Sequence, residues 1–118
     1  MREEISWFLE LAIKPNQVAV VRALIPEMVD ATRNEPGALV YEWALSDDET
    51  VLHSYDRYAD SEAVLAHLST FGETFAERLL AAADPTRFVV YGTPTDAARE
   101  ALDTFGALYM EPFAGFAR

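Results

Sequence analysis

Residues 5–13 alternate. Ile5, Trp7, Leu9, Leu11 and Ile13 share one parity, and Ser6, Phe8, Glu10 and Ala12 share the other. A period of two predicts a strand with one strongly apolar face. Lys14-Pro15-Asn16 breaks the run, with Asn16 placed to cap a helix. The period then changes. Val21, Leu24, Ile25, Met28 and Val29 fall at i, i+3, i+4, i+7 and i+8, which predicts a helix from Gln17 to about Asn34. Pro26 lies inside it and lacks an amide donor, so a kink or restart is expected there. Glu35-Pro36-Gly37 ends the helix in a turn.

Two strand-like runs, 38–46 and 51–58, flank Asp47-Asp48-Glu49-Thr50, which reads as a solvated hairpin turn. Asp60 or Ser61 caps a second helix with Val64, Leu68 and Phe71 on one face, and Gly72 interrupts it. A third helical stretch carries Phe75, Leu79 and Leu80 and stops at Asp84-Pro85. Residues 86–92 read as a fourth strand. Pro94-Thr95 opens a short helix with Ala98, Ala101, Leu102 and Phe105 inward, closed by Gly106, and 107–111 read as a fifth strand. The order β-α-β-β-α-α-β-α-β predicts an α+β fold: a ferredoxin-like antiparallel sheet with helices on one face. The sheet's other face is left open and partly aromatic, and covering it is the simplest argument for a homodimer.

Centring the hairpin on Asp48-Glu49 sets Trp43 opposite Ser54, Tyr41 opposite Asp56 and Leu39 opposite Tyr58. Leu39, Tyr41, Trp43, Leu45, Leu52, Ser54, Asp56 and Tyr58 then share the face under the helices. Val40, Glu42, Ala44, Val51, His53, Tyr55 and Arg57 share the other.

The 118 residues are enough for one domain, 1–118, with a core over 5–92 and a C-terminal helix-and-strand extension over 95–118. Twenty acidic residues against nine basic ones give a net charge of −11, which disfavours nucleic acid and anionic membranes as partners. One lysine beside eight arginines suits a salt-rich cytoplasm or ordinary solubility equally. The absence of cysteine removes thiolate chemistry and disulfides and fits a cytoplasmic, reducing setting. Met1-Arg2-Glu3-Glu4 with the apolar run 5–13 is too short and too acidic for a signal peptide, and no stretch is long enough to span a membrane.

Glu35-Pro36-Gly37-Ala38-Leu39-Val40-Tyr41-Glu42 resembles the EPGCLxYE lead-in to the second strand of antibiotic biosynthesis monooxygenase domains. The stretch from Asp56 to Leu68 is similar to that family's ExWxDxEALxAHL run, with Asp56 and Tyr58 where the family has glutamate and tryptophan. The resemblance covers about residues 5–92. It implies a homodimer in which two sheets close an α/β barrel. It also implies cofactor-free oxygenation of quinols or polycyclic phenols, haem degradation, or isomerisation of a small ketone. Haem is disfavoured: Glu77 stands where that branch has its histidine ligand. That branch and some oxygenases of the family also use a pocket asparagine, whereas the only asparagines here, Asn16 and Asn34, both lie at helix ends.

His67 and Asp56 are the catalytic candidates. His67, at the edge of the second helix's apolar stripe, is either a general base or hydrogen-bond donor to a phenol, or a histidine satisfied by a backbone carbonyl. Asp56 needs a partner under the helices. Either Ser54 or Tyr41 satisfies it structurally, or it acts as a base with a raised pKa. Tyr41, Trp43, Ser54, Tyr58 and Phe71 are the substrate-contacting candidates, as an aromatic slot or as ordinary core. His53 sits on the mixed face. Two histidines without ligand spacing make no metal site, and no cofactor motif is present. The expected function is a cofactor-independent monooxygenase of a quinol-like or phenolic molecule. The alternatives are an acid–base isomerase or dehydratase of a small ketone and a non-catalytic ligand-binding dimer. A slot of roughly 300 Å³ or more is what the enzyme readings require.

Overall fold

The computed structural model describes residues 3–118, and the Met1-Arg2 start lies outside the described residues. Five strands form one sheet in the order β2-β3-β1-β4-β5. They are β1 (Ile5–Ile13), β2 (Ala38–Leu45), β3 (Val51–Tyr58), β4 (Ala83–Tyr91) and β5 (Leu108–Met110). The helices are α1 (Val18–Arg33), α2 (Ser61–Thr70), α3 (Ala76–Ala82) and α4 (Asp96–Asp103). The first four strands are antiparallel neighbours, as the sequence pattern predicts, and the helices cover one face.

β1 is central because its inward parity is the most apolar. Ile5, Trp7 and Leu11 are buried. The apolar interior divides into two clusters. One gathers Leu11, Val21, Leu24, Met28, Leu52, Phe75 and Leu79 around α1 and α3. The other gathers Ile5, Trp7, Tyr58, Val64, Phe88, Val90, Ala98 and Leu102 around α2 and α4.

The hairpin keeps the predicted pairing of Trp43 with Ser54 and Tyr41 with Asp56. Toward the start of β2 the register shifts between Ala38 and Val40, and Ala38 rather than Leu39 faces Tyr58. The extra residue in this bulge breaks the alternation, so Leu39 turns outward and is 50% exposed. Asn16 does not cap α1. It takes a left-handed turn (φ 65°), and Gln17 occupies the cap position without a side-chain bond. Pro26 neither ends nor restarts α1. It lies on the exposed face, where water can satisfy the carbonyl that loses its partner. Gly72 does not stop α2 either. Residues Phe71–Phe75 form one π-helical turn that joins α2 to α3.

The Asp60 carboxylate accepts the Ala63 N–H at 2.9 Å and caps α2. Thr95 caps α4, and its own N–H donates to Ser61 Oγ at 3.0 Å, which ties the two helix starts together. Phe105, expected inside α4's apolar face, lies beyond the helix and is 40% exposed. The last strand, β5, pairs in parallel with β4 of its own chain, Val90 beside Tyr109. Among the described residues no helix is long and apolar enough to cross a membrane.

Candidate active site

Between the two apolar clusters lies a cavity of about 370 Å³. Its walls come from both: Trp7 and Phe88 on one side, Leu11, Met28 and Leu79 on the other. Tyr41, Trp43, Ser54, Asp56, His67 and Phe71 all line it. Tyr58, a candidate slot wall, does not. It is fully buried behind the others, where it holds Asp56. A larger groove of about 750 Å³ crosses the opposite face, over Phe8, Tyr55, Arg57 and Tyr91. That groove is the uncovered side of the sheet, while the enclosed titratable groups gather in the smaller cavity.

Ser54, Asp56 and Tyr58 alternate along β3 and so share its inner face. Ser54 Oγ donates to one Asp56 oxygen, and Tyr58 Oη donates to the other at 2.7 Å. Tyr41, the other partner considered for Asp56, makes no such bond. Burial disfavours the carboxylate and pushes Asp56 up to about 7. The hydrogen bonds from Ser54 and Tyr58 pull the other way, and the Glu35 charge adds to the rise. Burial also raises the Tyr41 and Tyr58 phenols, so both are neutral donors at any physiological pH.

His67 enters the cavity from α2, one turn after Val64. It does not bond a backbone carbonyl. Its Nδ1 lies 3.0 Å from Glu35 Oε1 and 3.4 Å from Oε2. The ring sits in an aromatic surround, with Tyr58 at 5.0 Å, Tyr41 at 5.4 Å and Trp7 at 6.1 Å between centroids. Burial lowers His67 to about 4, and the same burial raises Glu35. The imidazole is therefore neutral at neutral pH. Its Nε2 has no hydrogen-bond partner. Among the described residues only Trp43 Nε1 is both fully enclosed and unpartnered, so Nε2 keeps access to the cavity.

At the far end, Phe71 packs edge-on to Phe105 at 6.2 Å, and Phe105 meets Phe88 at 6.5 Å. The wide turn after α2 lets Phe71 line the cavity while Phe75 and Leu79 enter the core. His53 is elsewhere. It lies on the outer face, with Nε2 3.0 Å from Glu10 Oε1 and its ring on Phe8. Among the described residues no group of three or more His, Cys, Asp or Glu side chains could hold a metal ion.

The sequence pattern did not single out Glu35, Trp7, Phe88 or Phe105 for the site. Only Glu35 carried a usable signal, its place at the head of the Glu35-Pro36-Gly37 motif. The others read as core.

A profile of the antibiotic biosynthesis monooxygenase family matches residues 7–76, more than half of the chain. The chain belongs to the antibiotic biosynthesis monooxygenase family. Among solved structures, MupZ from Pseudomonas fluorescens is 23% identical over 100% of this chain and 91% of its own, with a TM-score of 0.89. SnoaB, a cofactor-independent oxygenase from Streptomyces nogalater, is 13% identical over 79% and 95%, with a TM-score of 0.67. Rv0793 from Mycobacterium tuberculosis is 22% identical over 80% and 98%, with a TM-score of 0.59. At these identities the likeness establishes the shared fold. The search of curated proteins finds no match.

Proposed function

We propose that the cavity is an active site in which His67 takes a proton from a quinol-like or phenolic molecule, which O₂ then oxygenates without a bound cofactor. The observation that carries this reading is a neutral imidazole in an apolar cavity, one nitrogen held by Glu35 and the other unbonded. Deprotonation gives an electron-rich anion. The anion passes one electron to O₂, and the two radicals combine as a hydroperoxide. Loss of water leaves a new carbonyl, so one oxygen atom ends in the product and the other in water. Asp56, protonated up to about pH 7, is the group to supply the proton to the departing oxygen. Tyr41, Trp43 and Phe71 offer aromatic faces for a planar ring. Family membership supports the reading, as does the likeness to SnoaB, a cofactor-independent oxygenase.

A proton donor and a proton acceptor on one cavity also favour a second reading, isomerisation or dehydration of a small ketone without O₂. Oxygen uptake with a panel of anthrones and quinols separates the two. Uptake should fall by roughly 10²–10⁴-fold in the His67→Ala, Asp56→Asn double variant. Unchanged uptake removes the assignment, and turnover under strict anaerobiosis selects the second reading.

The working form under this proposal is a cytoplasmic homodimer joined through the open face of the sheet. Tyr55 and Tyr91 are 39% and 40% exposed there, more aromatic surface than a solvated face needs. The absence of cysteine supports a reducing compartment.

A further inference from the structure

The Glu35-Pro36-Gly37 turn does more than end α1. Gly37 lies so close to α2 that a Cβ placed on it would stand 2.4 Å from Ala63 Cβ. Its carbonyl also accepts the Ala59 N–H at 2.9 Å. The turn is thus pinned to the start of α2, one turn before His67, and only glycine permits that approach. Backbone bonds fix the residue before the proline as well. Glu35 N–H donates to Thr32 O at 2.9 Å, and Ala38 N–H donates to Glu35 O at 3.1 Å. The Glu35 side chain leaves this rigid turn and meets Nδ1 of His67.

We propose that Glu35 is the positioning residue of the site: its carboxylate accepts the Nδ1–H of His67 and so keeps the Nε2 lone pair facing the cavity. The imidazole has two neutral tautomers, and only the one protonated at Nδ1 leaves Nε2 able to take a proton. A carboxylate at 3.0 Å selects that tautomer and the ring orientation together. This assignment gives the motif a purpose in three parts: glutamate supplies the acceptor, proline stiffens the turn, and glycine allows it to dock on α2. The same burial that raises Glu35 makes the bond strong, since little water competes for either partner.

The inference rests on His67 being the base, but its test does not need a substrate. Long-range ¹H–¹⁵N spectra of the full chain resolve the tautomers, and with two histidines a His53→Gln variant assigns the signals. The wild type at neutral pH is expected to show Nδ1 protonated and Nε2 bare. Glu35→Ala should shift the ratio of the two tautomers by at least roughly tenfold toward Nε2–H. Glu35→Gln keeps an acceptor oxygen in place and should retain the wild-type tautomer. A wild type protonated at Nε2 overturns the proposal even if Glu35→Ala does not fold, as does a tautomer ratio unmoved in Glu35→Ala. Should the tautomer behave as expected while oxygen uptake ignores His67, the positioning stands and the oxygenase reading falls. In an active enzyme Glu35→Ala should lower kcat with KM little changed, because Glu35 stands behind His67 and does not line the cavity.

Discussion

Replacing Asp56 by asparagine tests the electrostatics of the site directly. In the folded protein the carboxyl titrates near 7, and in the unfolded chain near 3.8. Between those values the folded state holds a proton that the unfolded state has lost. Stability contributed by Asp56 is therefore complete below about pH 3.8 and is lost as pH rises through 7. Each unit of separation is worth about 1.4 kcal/mol, so from about pH 4.5 to about pH 7 the wild type should lose about 3 kcal/mol relative to Asp56→Asn. Asparagine keeps the shape of the neutral acid, can accept from Ser54 or Tyr58, and carries no titration. His67 works in the opposite sense. Its folded value near 4 lies below its ordinary 6.5, so its contribution is present above about pH 6.5 and is lost as pH falls toward 4. The two slopes nearly cancel in the wild type, and the asparagine variant uncovers the histidine's. The assay is urea unfolding of both proteins across this range, read as the difference of their free energies. A difference that does not change with pH would refute the reasoning, because it would mean that the Ser54 and Tyr58 hydrogen bonds overcome burial. A difference of opposite slope would show that they reverse it. Tyr58→Phe serves as a control: it removes a bond that favours the carboxylate and should move the Asp56 midpoint further up.

Gly37→Ala forces a methyl against the Ala63 methyl, with no flexible side chain to give way. It should destabilise the fold by about 1–3 kcal/mol in urea unfolding, while Gly72→Ala, which meets nothing within 4 Å, should not share that steric cost. Phe8→Asp places a charge on the open sheet face beside Tyr55. Sedimentation should show the wild type at twice the chain mass and the variant at the chain mass, and a wild-type monomer would remove the proposed interface.

The strands were legible because their alternation is strong and each helix has its own period. Trp43 and Tyr41 could be set opposite Ser54 and Asp56 because a short hairpin fixes the register near its turn. That certainty decays with distance from the turn, and the bulge at Leu39 marks where it failed. A bulge adds one residue without changing the hydrophobic pattern enough to betray itself. The π turn was hidden for a related reason. Gly72 reads as a stop when helices are judged by propensity, yet the chain continues through it because Phe75 and Leu79 have core to fill. Within the site, Asp56 stood out as a carboxylate at an apolar position. Glu35 did not, since a glutamate before Pro-Gly looks like an exposed turn residue until the loop is seen docked on α2.

Asp48 and Asp56 separate the two influences on a carboxylate. Each takes hydrogen bonds from two side-chain hydroxyls, Ser46 and Thr50 for Asp48, Ser54 and Tyr58 for Asp56. Asp48 lies in the exposed hairpin turn, and those bonds lower its pKa. Asp56 has comparable donors and moves the other way, because removal from water outweighs them. The difference is therefore made by the walls around Asp56 rather than by its donors. Those walls are the apolar inward faces of β1 and β2 and the aromatic rings over them. The same walls depress His67. A single apolar enclosure thus yields a neutral acid and a neutral base together, in a protein whose net charge is −11. Burial is the largest influence on both groups, the Glu35 charge adds a smaller rise at Asp56, and the Glu35 carboxylate also holds the geometry of His67.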